Sequence, residues 1–175
     1  MKPATNYLEE VGELITGLEK IGFLPILVGG MALSLLGSRR VTRDFDFVIP
    51  KPKEDMEDLV NFFYKQGFEL ASKLDKNGDV IRTIDNAKVA TSRLKMDAPE
   101  SAYFYKASIG LRVDLLFDFP IQASRLAKKA SKKKISSYVF YIAAKEDLIR
   151  LKKIASTNRS HPGDNQDLEF LKKLK

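Results

Sequence analysis

One stretch of the chain is unusually informative: residues 28–49, which read VGGMALSLLGSRRVTRDFDFVI. Two adjacent glycines, Gly29 and Gly30, follow an apolar run and precede the helix-favouring residues 31–36. A glycine pair in this position predicts a tight turn between two short buried elements. The stretch ends in an alternation of acidic and apolar residues over 44–49, which predicts a strand with one polar face. The pattern therefore predicts a strand, a turn, a helix and a second strand.

The second of these strands carries two aspartates. Asp44 and Asp46 lie two positions apart, so their carboxylates project from one face, about 7 Å apart along the chain. Phe45 and Phe47 are expected to point the other way, into the core. Such a pair suits Mg²⁺, which takes one or two carboxylates together with substrate phosphates. The same alternation is ordinary in any strand with one solvated face, so a structural role for the two acids stays open.

A third aspartate, Asp114, interrupts the strongly apolar segment 111–117, which predicts another strand. An unpaired acid in a buried strand is costly, so its presence indicates a function. If this strand lies beside the one that carries Asp44 and Asp46, the three carboxylates would complete a two-metal site. The glycine pair could add backbone N–H groups and a helix N-terminus that attract phosphate oxygens. It matches neither a Walker loop nor a dinucleotide fingerprint.

The remaining elements are predicted from hydrophobic periodicity and from turn residues. Helices are expected at 7–21, 54–66, 120–130, 144–155 and 167–174, and strands at 23–28, 68–73, 80–84 and 136–142. The segments 88–93 and 102–106 could be strands or loops. Because strands and helices are mixed without regular alternation, the sequence predicts an α+β fold: a mixed β-sheet flanked by helices, with a short C-terminal helical segment.

Composition excludes several classes of site. The 175 residues include no cysteine and one histidine, His161, which rules out a disulfide scaffold and thiol catalysis and makes a multi-ligand zinc centre improbable. The uncharged run 21–38 has the length of a membrane span, but Pro25 and its four glycines favour short buried elements instead. We therefore expect a cytoplasmic protein without a membrane partner.

Charge is distributed unevenly along the chain. Residues 1–120, the expected core, hold 16 Lys and Arg against 18 Asp and Glu, whereas residues 121–175, the expected basic C-terminal segment packed on that core, hold 14 against 5. A balance of +9 in the last third suggests contact with a polyanion such as tRNA. A lysine-rich solvated surface would have the same composition, so that interpretation stays open.

Taken together, these motifs resemble a known signature. The chain resembles the DNA polymerase β-like nucleotidyltransferase superfamily, and more narrowly the type IV toxin (AbiEii-like) minimal nucleotidyltransferases. The resemblance lies in Gly29-Gly30-Met-Ala32, in Arg40-Val-Thr42-Arg-Asp44-Phe-Asp46 and in Asp114 on a later strand. The tail is similar to the C-terminal helical motif of that family, with Glu146-Asp147-Leu148, Leu151-Lys152-x-x-Ala155, Arg159 and Asp164-x-x-Asp167-Leu168.

The resemblance implies a role for each matching residue. Gly29 and Gly30 would hold the triphosphate of an NTP. Asp44 and Asp46 would bind both magnesium ions, and Asp114 would ligate the catalytic one and help to deprotonate an acceptor hydroxyl. Three further residues, Arg40, Thr42 and Lys152, would contact or order phosphate groups. Asp164, in contrast, is placed to cap a helix at 167–174, a structural role.

The function that these roles imply is magnesium-dependent transfer of NMP from an NTP, ATP among the candidates, to an acceptor hydroxyl. The acceptor could be tRNA, a protein or a small molecule such as an antibiotic, and an antitoxin would be a partner if the type IV resemblance holds. The alternative from another class is a non-catalytic module that keeps the fold and binds nucleotide or RNA.

Overall fold

The computed structural model describes residues 6–39, 42–158 and 162–175 and has an α+β fold. Its helices are α1 (Tyr7–Lys20), α2 (Gly29–Leu35), α3 (Met56–Lys65), α4 (Ala87–Asp97), α5 (Ala123–Ala127), α6 (Lys145–Asn158) and α7 (Pro162–Lys173). Its strands are β1 (Ile26–Val28), β2 (Asp44–Ile49), β3 (Glu69–Leu74), β4 (Val80–Ile84), β5 (Ser101–Lys106), β6 (Leu111–Phe117), β7 (Ser131–Ile135) and β8 (Tyr138–Ile142).

The strands form one mixed sheet in the order β4-β3-β5-β6-β2-β1-β8-β7. Strands β2 and β6 are parallel neighbours, as are β1 and β8, and the other neighbours are antiparallel. The two strands that carry the predicted aspartates are therefore adjacent at the centre of the sheet, although the connection between them runs from residue 50 to residue 110.

One face of this sheet forms the hydrophobic core. Phe45 and Phe47 are buried on it, as their alternation with the aspartates predicts. Helix α1 packs close to β8, because a Cβ on Gly12 would lie 2.4 Å from the ring of Tyr138. Helix α3 contributes Phe63, whose ring stacks on Phe104 at 4.2 Å between centroids. Packing on this face leaves the opposite face of β2 and β6 for polar side chains.

Two predictions in the middle and at the end of the chain were wrong. The segment 88–93, expected to be a strand or loop, belongs to helix α4, which begins where the Asn86 side chain accepts a hydrogen bond from the Val89 amide. The final helix begins at Pro162, not near residue 167, so Asp164 lies inside it. Periodicity alone missed α4 because few of its residues are buried.

The C-terminal third is only partly helical. Strand β7, with Lys132, Lys133 and Lys134, pairs with β8 and forms one edge of the sheet. Lysine along an exposed edge strand discourages pairing with other chains, so part of the positive charge has a structural explanation. In the parts of the chain that the structure describes, no helix combines the length and the apolar character needed to cross a membrane.

Candidate functional site

The glycine pair lies directly against one of the predicted aspartates. Val28 is the register partner of Asp46, so the turn that follows β1 begins beside that carboxylate. Gly29 has a φ of +71°, a left-handed conformation that glycine adopts without strain. A Cβ at Gly29 would lie 2.3 Å from Oδ2 of Asp46, and one at Gly30 would lie 3.2 Å from the methyl group of Thr42. Only glycine leaves room for this close approach.

Asp46 and Asp114 are direct neighbours across the sheet. They are register partners on the parallel strands β2 and β6, and their side chains share a hydrogen bond. On the far side of Asp114, its register partner on β5 is Tyr103. Asp44 is two residues along β2, level with Arg112, and is exposed. The structure thus brings the two central carboxylates together and leaves Asp44 at the solvent-facing end.

Arg112 is a site residue that was not singled out from the sequence. Its Nε and Nη2 atoms donate to the two carboxylate oxygens of Asp114 at 2.8 and 2.9 Å. Its Nη1 atom donates to the carbonyl of Gly78, at the tip of the β3–β4 hairpin, and its guanidinium lies 4.5 Å from the ring centroid of Tyr103. A basic residue two positions before a buried acid on one strand face was the available signal.

The electrostatics of the pair follow from its surroundings. The pKa of Asp46 is raised to about 8, mainly by burial. The charge and hydrogen bond of Asp114 and the charge of Asp44 also raise this pKa, whereas the positive charge of Arg112 lowers it. Burial also raises the pKa of Asp114, although the ion pair with Arg112 opposes that shift. Two carboxyl groups that share a proton titrate as a coupled unit, so the pair holds one proton near neutral pH.

This raised pKa predicts how stability depends on pH. Between about pH 4 and pH 8 the unfolded chain has released the Asp46 proton while the folded chain retains it, so the free energy of unfolding should fall as the pH rises. Asp46→Asn should flatten this fall, whereas Asp58→Asn, an exposed change on α3, should leave it in place. Urea unfolding from pH 5 to 8 in EDTA measures both slopes, and identical slopes in wild type and Asp46→Asn would contradict the assignment.

The carboxylates suit a hard divalent cation. Asp46 and Asp114 are adjacent carboxyl groups that share a proton, and a cation could take the place of that proton. Among the residues described, no three acidic or imidazole side chains meet as a self-sufficient metal cluster. That is compatible with Mg²⁺, which binds through one or two carboxylates and completes its shell with water and substrate phosphates.

The three residues predicted to contact phosphate do not lie together in the described structure. Thr42 lies against Gly30, and its hydroxyl accepts a hydrogen bond from the Asp44 amide at 3.3 Å. Arg40 lies outside the described residues, as do Arg159 and His161. Lys152 is buried, and its Nζ lies 3.1 Å from Asp164 and 2.7 Å from Asp167. The structure therefore shows Lys152 joining α6 to α7, and its contact with phosphate stays a prediction.

Asp164 corrects the capping prediction. It does not cap a helix that begins at 167, because α7 already starts at Pro162. Instead it is 3% exposed, and its Oδ1 accepts from Lys152. Its role in the described structure is to pair with a buried cation between two helices.

No protein-family model and no curated protein sequence matches the chain. Solved structures do match. The lincosamide antibiotic adenylyltransferase LnuA, bound to lincomycin, aligns with a TM-score of 0.60 at 12% identity, over 95% of this chain and 97% of that one. The antibiotic-resistance factor ANT(2'')-Ia aligns with a TM-score of 0.59 at 10% identity, over 94% and 82%. A nucleotidyltransferase-like protein from Paracoccidioides brasiliensis aligns with a TM-score of 0.59 at 16% identity, over 92% and 72%.

The chain has the nucleotidyltransferase fold. The α+β class predicted from the sequence is thus confirmed, with the mixed sheet at its centre. Because these identities are low, the likeness concerns the arrangement of the helices and strands, and the chemistry must be argued from this chain's own residues.

Gly29→Ala tests whether the close approach of the turn matters for activity. A side chain in the left-handed region costs roughly 1–2 kcal/mol, and here it would also displace the carboxylate of Asp46. Gly110→Ala is a matched control, since Gly110 has a φ of +66° and no neighbour within 4 Å of an added Cβ. We expect Gly29→Ala to lose at least as much stability as Gly110→Ala in urea unfolding, and only Gly29→Ala to impair the activity of this site, by about 100-fold. Equal transfer by the two variants would contradict this.

Proposed function

We propose that the protein is a nucleotidyltransferase that moves NMP from an NTP to an acceptor hydroxyl with the help of Mg²⁺. The observation that carries this proposal is the hydrogen-bonded pair of Asp46 and Asp114 beside the turn at Gly29. The carboxylate pair alone would fit other metal-dependent reactions. The fold shared with nucleotidyltransferases favours nucleotide transfer among them.

The reaction follows from the arrangement of these groups. Asp46 and Asp114 would hold Mg²⁺, with water and substrate phosphates completing its shell, and the cation would neutralise the charge that develops on the phosphate oxygens. The resemblance implies that Asp44, at the exposed end of the same strand, would join them. Gly29 and Gly30 let the turn lie directly against Asp46 and Thr42, and their backbone N–H groups would hold the triphosphate, as the resemblance implies. The acceptor oxygen forms a bond to the α-phosphorus while the bond to pyrophosphate breaks. Asp114 would help to take the proton of the acceptor hydroxyl, the role that the resemblance implies for it.

Arg112 supports this role of Asp114 by holding it in place. A bidentate guanidinium–carboxylate pair fixes the plane of the carboxylate as well as its position. The stacking of Arg112 on Tyr103 restrains the guanidinium in turn. We therefore assign Arg112 as a positioning residue that acts through Asp114.

Two kinds of acceptor have separate support. A tRNA acceptor is supported by the positive balance of residues 121–175, part of which lies on the exposed strand β7. A small antibiotic is supported by the fold shared with two antibiotic-related proteins, LnuA and ANT(2'')-Ia. A toxin with an antitoxin partner is a further proposal, which rests on the resemblance of the motifs alone.

Transfer of label from NTP tests the proposed reaction. The protein is incubated with Mg²⁺ and each NTP, labelled at either the α- or the γ-phosphate, and with tRNA, with lysate protein or with lincosamide and aminoglycoside antibiotics. We expect the α-label in an acceptor, the γ-label in pyrophosphate, and neither product in EDTA. Transfer of the γ-label to an acceptor would identify a kinase instead. Binding of NTP with no covalent product under all conditions would support the non-catalytic alternative.

A further inference from the structure

The outer half of the β3–β4 hairpin is separate from the main ladder of the sheet. Strand β3 pairs with its inner neighbour β5 only at Glu69 and Leu70, whereas its pairing with β4 continues to Leu74 and Val80. The β3–β4 register is also irregular after Ala71, and irregularities of this kind bend and twist a ribbon. The hairpin therefore extends beyond the sheet as an arm of two strands.

The tip of this arm is bonded to a residue of the candidate site. The carbonyl oxygen of Gly78 accepts a hydrogen bond from Nη1 of Arg112 at 2.5 Å, while Nε and Nη2 of the same guanidinium donate to Asp114. That guanidinium lies over the ring of Tyr103, the register partner of Asp114 on β5. The tip thus reaches the face of the sheet that carries the aspartates.

The turn at the tip has a defined shape. The carboxylate of Asp75 accepts from the amides of Asn77 and Asp79 at 2.8 and 2.9 Å, and the Asp75 amide donates to the Asp79 carbonyl at 2.9 Å. Gly78 supplies the left-handed residue of the turn, with a φ of +85°. Because these bonds lie within the turn, the arm meets Arg112 as a preformed unit.

Two cations oppose each other on the arm. Lys73 and Arg82 are register partners on β3 and β4, and both are exposed. Like charges at directly opposite positions destabilise a strand pair. Among the ion pairs of the described residues, none involves either side chain. A local arrangement that costs stability without compensation indicates a function, and two neighbouring cations suit the phosphate of a ligand.

The order of the strands gives the side of the reaction on which the arm lies. In the sheet, β2 separates β6, to which the arm is bonded through Arg112, from β1, which leads into Gly29. Displacement at phosphorus is in line, so the attacking hydroxyl and the departing pyrophosphate lie on opposite sides of the α-phosphate. With the triphosphate at the glycine turn, the arm lies on the side from which the acceptor arrives.

We propose that the outer β3–β4 hairpin, residues 73–82, binds the phosphodiester backbone of an RNA acceptor, with Lys73 and Arg82 as its phosphate contacts. The bond between Gly78 and Arg112 holds this arm beside Asp114. The inference rests on the proposed function, because it assumes that the triphosphate occupies the glycine turn. It deepens that function by favouring RNA over a small antibiotic, since two unpaired cations attract a polyanion. The arm lies outside the basic segment 121–175, so it supports RNA independently of that segment.

The salt dependence of RNA binding tests the proposal. Binding of tRNA, labelled with a fluorophore at its 5′ end, is measured by anisotropy at several salt concentrations. The hairpin variant is Lys73→Gln with Arg82→Gln. Its matched control is Lys51→Gln with Lys53→Gln, which removes the same charge from exposed positions beyond the end of β2 that lies away from Asp44.

We expect the hairpin variant to bind tRNA about tenfold more weakly, and the slope of log affinity against log salt to decrease by about 1.4 to 1.8, the contribution of two phosphate contacts. The control should keep the wild-type slope. Because the hairpin variant removes opposed like charges, it should be at least as stable as the wild type in urea unfolding. In label transfer, its KM for tRNA should rise while its KM for NTP stays unchanged.

Three outcomes would overturn the proposal: an equal decrease in slope in the hairpin variant and the control, a rise in the KM for NTP instead of tRNA, or transfer to an antibiotic by a wild-type protein that does not bind tRNA. Failure of the proposed function has a different result. In that case tRNA binding would depend on Lys73 and Arg82 as expected, but no acceptor would receive the α-label, and the arm would stand as an RNA-binding surface without the reaction.

Discussion

Replacement of Asp46 by Asn is expected to lower nucleotide transfer by about 10²- to 10³-fold while the folded protein becomes more stable. Transfer falls because the substituted amide cannot supply the negative charge that would hold the cation, and the cation would neutralise the charge that develops on the phosphate oxygens. Stability rises because the partly desolvated carboxyl beside Asp114 is replaced by a neutral group that can still donate a hydrogen bond to it. Few surface or core substitutions move activity and stability in opposite directions, so the combination is specific to a functional site.

The measurement for Asp46→Asn combines transfer of α-label with urea unfolding at pH 8, where the wild-type pair loses its shared proton. Asp58→Asn, which is exposed on α3, should leave both quantities near the wild-type values. Transfer that survives in Asp46→Asn within a few-fold would remove the carboxylate pair from the mechanism, whatever happens to stability.

Lys152→Met is expected to destabilise the protein by about 3–5 kcal/mol, because it leaves two buried carboxylates without their cation. Asp164 and Asp167 are 3% and 2% exposed, so solvent cannot compensate for the loss. The interaction holds α6 against α7, and the C-terminal helices should unfold first. Thermal unfolding and hydrogen exchange over 145–173 measure the effect, and a loss below about 1 kcal/mol would contradict the buried ion pair as the structure shows it. Lys153→Met, an exposed neighbour, is the control.

A triple variant separates the structural role of Lys152 from the phosphate contact that the resemblance implies. Lys152→Met with Asp164→Asn and Asp167→Asn removes this cation and both anions, and replacing buried ion pairs by neutral groups is often close to neutral for stability. If this variant folds and still transfers nucleotide, Lys152 acts only between helices. If it folds and transfers none, the phosphate contact is supported.

Local pattern predicted much of the sheet. The strands 44–49 and 111–117 have the bounds expected from the alternation and from the apolar run, because each reports the burial of its own faces. The hairpin at 68–84 follows from its Asn-Gly turn, and helix α1 from its period. The helix α4 and the edge strand β7 were missed because the first buries few residues and the second buries almost none.

The site was only partly predictable, because some of its contacts join residues that no local pattern connects. Asp44, Asp46, Asp114 and the glycine pair could be named from their residue types and spacing. The spacing of Arg112 and Asp114 indicated that they share a strand face, but not that Arg112 would bind both oxygens, and nothing local showed that Lys152 would lie between two carboxylates. Contacts of this kind depend on which side chains the folded chain brings within a few ångströms, and neither periodicity nor composition contains that information.

The amino-acid sequence by itself determined where the strands of the site run, which acids they carry and where only glycine can turn, since these depend on near neighbours in the chain. Tertiary structure decided that β2 and β6 lie side by side and parallel, which sets Asp46 against Asp114 although 67 residues lie between them. That pairing follows from burying the phenylalanines of both strands in one core. The proton shared by Asp46 and Asp114 is a consequence of that pairing.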